Sequence, residues 1–566
     1  MLETLHVATC LLLNMPSIRV TLVNNVKQTQ KTVLLVPASI LFDPSDSSSC
    51  RNLVLKTARS KFQSKRPSRV FTSHGKELAT SDDWQRVIRN DAILLVSKLD
   101  EDFIGTVEDE SSKPRQIETP TKAFSVVHLN IKAEVDSLSL TQLKTTAQSL
   151  PGIVHAVAQP DLHPGTKYPI GGVFVSKNWI HPPLIGSDIG CGMAWYKTTL
   201  TSSQVQGDKS RKIAEKLRGL EGPWRTQKER EDWLEDGTAP TNAGPRWDAS
   251  LGTIGAGNHF AELQVVEESR QEVEGLLLED EVVLLVHSGS RGYGGDILRR
   301  YTGPGKDSIP EADAQEYLTE HDCACRWASR NRDLIALRFL SILEPGSPAW
   351  ELGSNGDSQA TLQGVQHALG SIQERKVVDI WHNNIEQSLW PPIGEHEAPN
   401  VEQFQAYVHR KGAAPTFNPQ TKLPLTILPL PGSRATPTLI LHPTLTAVNQ
   451  YGKINALSLA HGAGRARSRA DAAKYVAEKY KGQADDLVRG NFVWADKQGN
   501  KRHDEQDGRN VHGGTWVVCE DKQLVWEEAG EAYKDVWKVG DDLVTQGCAE
   551  IWGWCRGRVS YKVRKE

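Results

Sequence analysis

Val282-Val283-Leu284-Leu285-Val286 runs directly into His287-Ser288-Gly289-Ser290-Arg291-Gly292. Five consecutive branched aliphatic residues read as a strand buried on both faces. The small polar residues and glycines that follow read as a sharp turn. A strand that stops in such a turn delivers side chains and N–H groups to the mouth of a sheet, where α/β proteins bind ligands. Glycine-rich polar blocks of this kind recur along the chain. Upstream stand Pro160-Asp161-Leu162-His163-Pro164-Gly165 and Pro169-Ile170-Gly171-Gly172-Val173. Pro183–Met193 then places Asp188 three residues before Cys191, with glycines on both sides. Gly252–Glu262 carries Gly257-Asn258-His259-Phe260. Trp381-His382-Asn383-Asn384, His409-Arg410-Lys411-Gly412-Ala413, Pro431-Gly432-Ser433 and His461-Gly462-Ala463-Gly464-Arg465 follow, and Ser560-Tyr561-Lys562 stands near the end.

Size and composition bound the reading. A chain of 566 residues has room for two to four domains and a large core. No apolar run approaches the ~18 residues needed to span a bilayer, so no membrane partner is expected. The short apolar run Cys10–Leu13 lacks a basic flank and a small-residue cleavage site, so it does not read as a signal peptide, and Met15 is an alternative start. The net charge of -4 argues against a polybasic binder but permits a local basic groove. Eight sparse cysteines with no CxxC pair point to free thiols in a reducing compartment, the cytoplasm or the nucleus.

Residues 1–16 read as an extension and residues 17–98 as a separate small module. Ser17–Val23 alternates like a strand, Thr32–Val36 reads as a second and more buried strand, and Arg51–Phe62 has helical spacing. Val70-Phe71 leads into a turn at His74–Leu78, and Ala92–Val96 closes the module as a strand. That order resembles the β-grasp fold of ubiquitin-like and doublecortin-like modules, which implies a docking role for a protein partner; a solubilising appendage is the alternative reading. Residues 99–122, rich in Asp, Glu, Ser and Pro, have linker composition. From 123 to 566 the chain reads as one α/β region, broken by loops near Gly222–Ser250 and Glu344–Asp357, the first of them expected to be exposed.

A single histidine in a turn is more often a hydrogen-bonded polar residue than a ligand. Here His259, His287, His382 and His461 all lie in or beside such turns, and Asp188 and Cys191 add one carboxylate and one thiol. The set supplies donors for one or two divalent ions. A single thiolate excludes a structural zinc site of the all-cysteine kind; the mixture suits a catalytic Mn, Zn, Fe or Co centre with an open position.

Taken together, the Gly-Asn-His-Phe, His-Ser-Gly-Ser-Arg-Gly, His-Arg-Lys-Gly-Ala and His-Gly-Ala-Gly-Arg blocks make the region from about Ala123 to Lys562 resemble the RtcB-type RNA ligases. The resemblance implies that family's own α/β (α+β) fold. It also implies the joining of an RNA 3′-phosphate or 2′,3′-cyclic phosphate to a 5′-hydroxyl, with GTP as cosubstrate and two Mn²⁺ ions. Carried onto this chain, it implies that Cys191 bridges the metals, with His287 and His382 on one and Asp188 and His259 on the other. His461 becomes the nucleophile that takes up GMP. Asn258, Glu262, Ser433, Thr438, Gly464, Arg465 and Lys562 become nucleotide contacts, and Lys411 and Arg469 contacts for RNA phosphates. The glycines beside His461 would let it move. The chain departs from the family's usual Asp-Ile-Asn-Cys-Gly at Gly190, and from Ser-Met-Gly-Thr-Ala-Ser at Ser433–Thr438, a pattern closer to a repair branch than to tRNA splicing. A phosphoesterase acting on cyclic ends, or an RNA-binding scaffold, is the alternative function.

Overall fold

The computed structural model describes residues 18–28, 30–37, 49–62, 67–73, 75–88, 92–99, 101, 103–104 and 124–562, the last span without 221, 236–240, 256, 271–275, 304–305, 357–359, 395–400, 435, 483–492, 496–500, 504–514 and 520. The extension 1–16 and nearly all of the linker 99–122 lie outside the described residues. The chain divides into two compact units. One holds residues 1–121 with 136–146 and 164–169; the other holds 122–135, 147–163 and 170–566.

In the first unit, strands Ile18–Asn24, Lys31–Val36, Pro67–Thr72 and Ala92–Lys98 form one sheet. The first and last strands pair in parallel at its centre, with the second and third at the edges. The helix Ser49–Lys61 buries Cys50, Val54 and Ala58, which pack with Val20, Leu22 and Leu94. Lys31–Val36 is not the more buried strand that its aliphatic run predicts. It is an edge strand, with Val33 51% and Leu35 60% exposed, because only its alternate residues face the helix. The helix Ser81–Val87 was not legible in the periodicity; a capping box between Thr80 and Asp83 starts it.

The second unit is built on an eight-stranded sheet. Its spatial order is Lys376–Trp381, Gly192–Thr201, Glu281–Ser288, Phe260–Ser269, Ala549–Tyr561, Thr438–Pro443 and Leu428–Pro431, with Trp516–Val518 pairing beside Ala549–Tyr561. All pairings along that path are antiparallel. The fold is therefore mixed and α+β in character, rather than the parallel sheet that a buried aliphatic run ordinarily marks. The run is aliphatic because both faces are covered. Val283 and Leu285 face a core shared with Val157, Val173 and Trp537, while Val282, Leu284 and Val286 face Leu334, Leu337 and Ile372 of the helices Gln315–Leu343 and Leu362–Arg375.

Both expected loops contain helical turns. Gln227–Leu234 and Pro245–Asp248 are helices, and Trp224, Trp233 and Leu234 are buried, so the described part of 222–250 is not an exposed loop. A capping box from Thr226 to Glu229 starts the first helix, and its tryptophans outweigh the polar composition that reads as a loop. Pro348–Gly353 is a 3₁₀ turn that buries Trp350, whose Nε1 donates to Glu344 at 2.8 Å. No helix among the described residues is long and apolar enough to cross a membrane.

Candidate metal and nucleotide site

Strand register assembles the site. Met193 lies opposite His287, Gly192 opposite Ser288, and Trp381 opposite Gly192, while Phe260 lies opposite His287. Neighbouring antiparallel strands begin where their partners end. Cys191 and His259, which precede their strands, therefore meet His287, the next-to-last residue of one, and His382, which follows another.

The Cys191 Sγ lies 3.2 Å from His259 Nε2 and 3.4 Å from His287 Nε2. Asp188 Oδ2 lies 2.8 Å from the same His259 nitrogen. Two donor triads result, Asp188–Cys191–His259 and Cys191–His287–His382, each with ligand atoms within 4.8 Å of one another, and Cys191 belongs to both. Burial raises the Cys191 thiol well above its ordinary value, and Asp188 adds to the effect. Burial keeps His287 and His382 well below theirs, with neighbouring imidazoles adding, so both rings are neutral and offer lone pairs. Burial would also raise Asp188, but His259 and Arg291 override it and hold the carboxylate ionised. His382 Nδ1 is buried with no hydrogen-bond partner among the described residues. Neutral imidazoles, one carboxylate and a thiol that needs a nearby positive charge to ionise form a set that fits divalent cations.

The long helix Gln315–Leu343 fastens this cluster from behind. The Arg332 side chain is fully buried. Its Nη1 donates to the carbonyls of Gly190 and Ser288 at 3.0 and 2.8 Å, and its Nε to Asp379 at 2.7 Å. Asn331 Nδ2 donates to Thr253 O, Ser288 Oγ and Gly289 O, and its Oδ1 accepts from Gly252 N. Two adjacent residues thus tie down the segments that carry Cys191, His259, His287 and His382. The same helix accounts for Gly190. Its φ is +71°, and a Cβ there would stand 2.7 Å from the Cys325 Cα. A side chain in place of Gly190 would push on the helix.

His461 adjoins the cluster, its ring centroid 4.7 Å from that of His382. Its Nδ1 is 2.7 Å from Asp161 Oδ2. A carboxylate oxygen only accepts, so this bond puts the ring proton on Nδ1 and leaves Nε2 with the lone pair. Asp161 stands in the Pro160–Gly165 block, but nothing local to it reveals a partner 300 positions away. Gly464, with φ +70°, passes so close to the Asp161 carbonyl that a Cβ would overlap it. That glycine serves close approach.

A pocket opens beside His461, lined by Asn258, His287, Ser433, Arg434, Gly464, Arg465, Arg469, Tyr533 and Lys562, among others. Lys562 Nζ donates to Gly257 O at 3.1 Å and stands 3.8 Å from Glu528, so the chain's last described residue is part of the pocket. Glu528 is a buried hub that sequence reasoning missed. Arg465 Nη1 lies 3.1 Å from its carboxylate, Tyr533 donates to it, and Ser433 Oγ donates to its carbonyl at 2.9 Å. No local pattern marks it, because its partners are distant in sequence. Glu262 and Thr438 do not line the pocket. Both are buried in the sheet, where Gln264 Nε2 donates to each at 2.8 Å and Trp195 donates to Gln264. Arg469 is largely exposed at the pocket edge. Lys411 is half-buried with its side chain over Gly186, and burial lowers its amine to about 8.

A family model described as tRNA-splicing ligase RtcB matches residues 142–233 and 225–562. The RNA-splicing ligase RtcB2 of Escherichia coli is 33% identical over 421 residues, 73% of this chain and 89% of that protein. The tRNA-splicing ligase RtcB of Methanococcus maripaludis is 27% identical over 461 residues, 69% of this chain and 85% of that protein. The RNA-splicing ligase RtcB homolog 1 of Entamoeba dispar is 26% identical over 488 residues, 73% of this chain and 80% of that protein.

Proposed function

The chain belongs to the RtcB ligase family, and on that footing we propose that it is an RNA ligase that joins 3′-phosphate or 2′,3′-cyclic phosphate ends to 5′-hydroxyl ends, using GTP and manganese. The observation that carries this reading is the pairing of two donor triads sharing Cys191 with an Asp161-oriented His461 beside them. Bound at those triads, divalent manganese would neutralise phosphate charge and lower the pKa of water.

In this reading His461 Nε2 attacks the GTP α-phosphorus, an N–P bond forms, and pyrophosphate leaves with the electron pair of the broken P–O bond. Asp161 holds the Nδ1 proton throughout and stabilises the cationic ring that attack creates. Water opens a cyclic end to a 3′-phosphate. An oxygen of that phosphate displaces His461 from GMP, and the 5′-hydroxyl then displaces GMP to leave a 3′–5′ bond. Asn258, Ser433, Gly464, Arg465 and Lys562 hold the nucleotide, Glu262 and Thr438 shape its site from behind, and Lys411 and Arg469 meet RNA phosphates. The sparse cysteines of the sequence are the ground for placing this work in a reducing compartment, cytoplasm or nucleus. Residues 17–98 belong in this reading to the β-grasp class, supported by the central parallel pair of first and last strands and by a helix that falls between the second and third in chain order and packs on the sheet.

The test is covalent labelling. Incubated with Mn²⁺ and α-labelled GTP, the protein should take up an acid-labile, alkali-stable label that His461→Ala lacks. No label with any divalent ion would sink the ligase reading.

A further inference from the structure

The module at residues 17–98 carries 14 Lys and Arg against 6 Asp and Glu, a net of +8, in a chain whose total is -4. Neither composition nor net charge of the whole chain shows this, because the rest of the chain is acidic and masks it. The described acidic side chains of the module are occupied: Glu77 pairs with Arg69 at 2.8 Å and Asp83 with Lys76 at 2.6 Å. Lys27, Lys31, Lys56, Arg59 and Lys61 are exposed and form no ion pair among the described residues. On the helix Ser49–Lys61, Val54 and Ala58 turn to the core while Lys56 and Arg59 stand on the outward side, one turn apart.

A bland account exists for part of this. Arg59 and Lys61 lie in the last helical turn, where cations complement the helix dipole. The dipole does not reach Lys56, and it has no bearing on Lys27 and Lys31 at the hairpin between the first two strands. Solubility requires charge, but not an excess of one sign, which costs the folded module self-repulsion. A surface with a large excess of positive charge matches a polyanion, and in an RNA ligase the polyanion at hand is the substrate.

We propose that residues 17–98 form an accessory RNA-binding module that holds single-stranded RNA by its phosphates, through Lys56, Arg59 and Lys61 on the helix and Lys27 and Lys31 on the hairpin. Such contacts are sequence-independent and salt-sensitive. They raise the local concentration of RNA ends without taking part in the chemistry. The proposal rests on the ligase reading only for the choice of RNA.

The experiment measures binding of the full chain to a labelled single-stranded RNA about twenty nucleotides long, without GTP or divalent metal, between about 50 and 300 mM KCl. Each lost phosphate contact removes about 0.7 from the slope of log affinity against log salt. The triple variant Lys56→Gln, Arg59→Gln, Lys61→Gln should therefore lower the slope by about 2 and weaken binding about 10- to 100-fold at low salt. Lys27→Gln with Lys31→Gln should lower it by about 1.4, and decides the matter if the triple variant does not fold. Unchanged slopes in folded variants overturn the proposal, as does capture of an acidic protein with no loss of RNA affinity. GMP labelling of His461 is measured separately, so an unlabelled protein whose slopes fall as stated would refute the ligase reading and leave this one standing.

Discussion

Charge is handled in opposite ways in the two units. Around Cys191 and the pocket beside it charge is largely buried, and several ionic groups have fixed counterparts: Arg332 with Asp379, Asp188 with His259, Arg465 with Glu528. On the amino-terminal module it is exposed and predominantly positive, and the described acids are already paired. Buried charge lacks solvent to screen it, so geometry decides its energy and single changes are severe. Exposed charge is screened and additive, so each residue matters little and the sum matters to a partner. The first arrangement suits a metal site, and the second suits a surface that meets a charged partner.

The largest effect tests the buried side. Cys191→Ala removes the donor common to both triads, so manganese content after dialysis, read by elemental analysis, should fall to near background and GMP labelling with it; unchanged metal content would refute the shared role. Next, Asp161→Asn lets the side-chain amide donate to His461 and favours the wrong tautomer, so the labelling rate should drop about 10²- to 10⁴-fold with metal content preserved. A variant that labels at the normal rate would remove Asp161 from the chemistry.

Stability sharpens the contrast. Arg332→Met leaves Asp379 buried without its partner and frees the carbonyls of Gly190 and Ser288, at a cost of about 3–5 kcal/mol by urea unfolding. Val33→Thr with Leu35→Thr, on the exposed edge strand, should stay within about 0.5 kcal/mol per site. Similar costs for the two would break the comparison.

The smallest effect is a pH profile. Lys411, lowered to about 8 by burial, carries its charge below that pH and loses it above. RNA-end affinity that depends on Lys411 should therefore fade as pH rises through about 8, and Lys411→Arg, which stays charged, should hold it level. For folding stability the sign is reversed. The buried ammonium is a cost below pH 8, and that cost is relieved as pH climbs from about 8 toward the ordinary lysine value. A profile that Lys411→Arg does not flatten would assign the titration to another group.

Much of the site was legible in order along the chain. Asp188, Cys191, His259, His287 and His382 stand in short glycine-rich blocks, and the structure brings all five together with His461. Local sequence marks such positions because a turn beside a strand end demands small residues whatever surrounds it. Glu528 left no such mark, and Asp161, though it stands in the Pro160–Gly165 block, left no mark of its role. Their roles come from partners 63 and 300 positions away, and a carboxylate looks the same in sequence whether it is solvated or pinned. Glu262 and Thr438 show the converse. Their blocks are plain in sequence, but strand register turns both side chains into the Gln264 network and away from the pocket lining.

By itself the sequence determined the donors, their chemical types, the module boundary signals and the charge of each segment, since these are properties of residues and their neighbours. Only tertiary structure decided that Cys191 serves two triads, that Asp161 orients His461, and that the helix at Asn331–Arg332 fastens the cluster. Distances between residues far apart in the chain are set by strand register and by packing on both faces of the sheet. Those are collective outcomes of burying the core, and no local stretch encodes them.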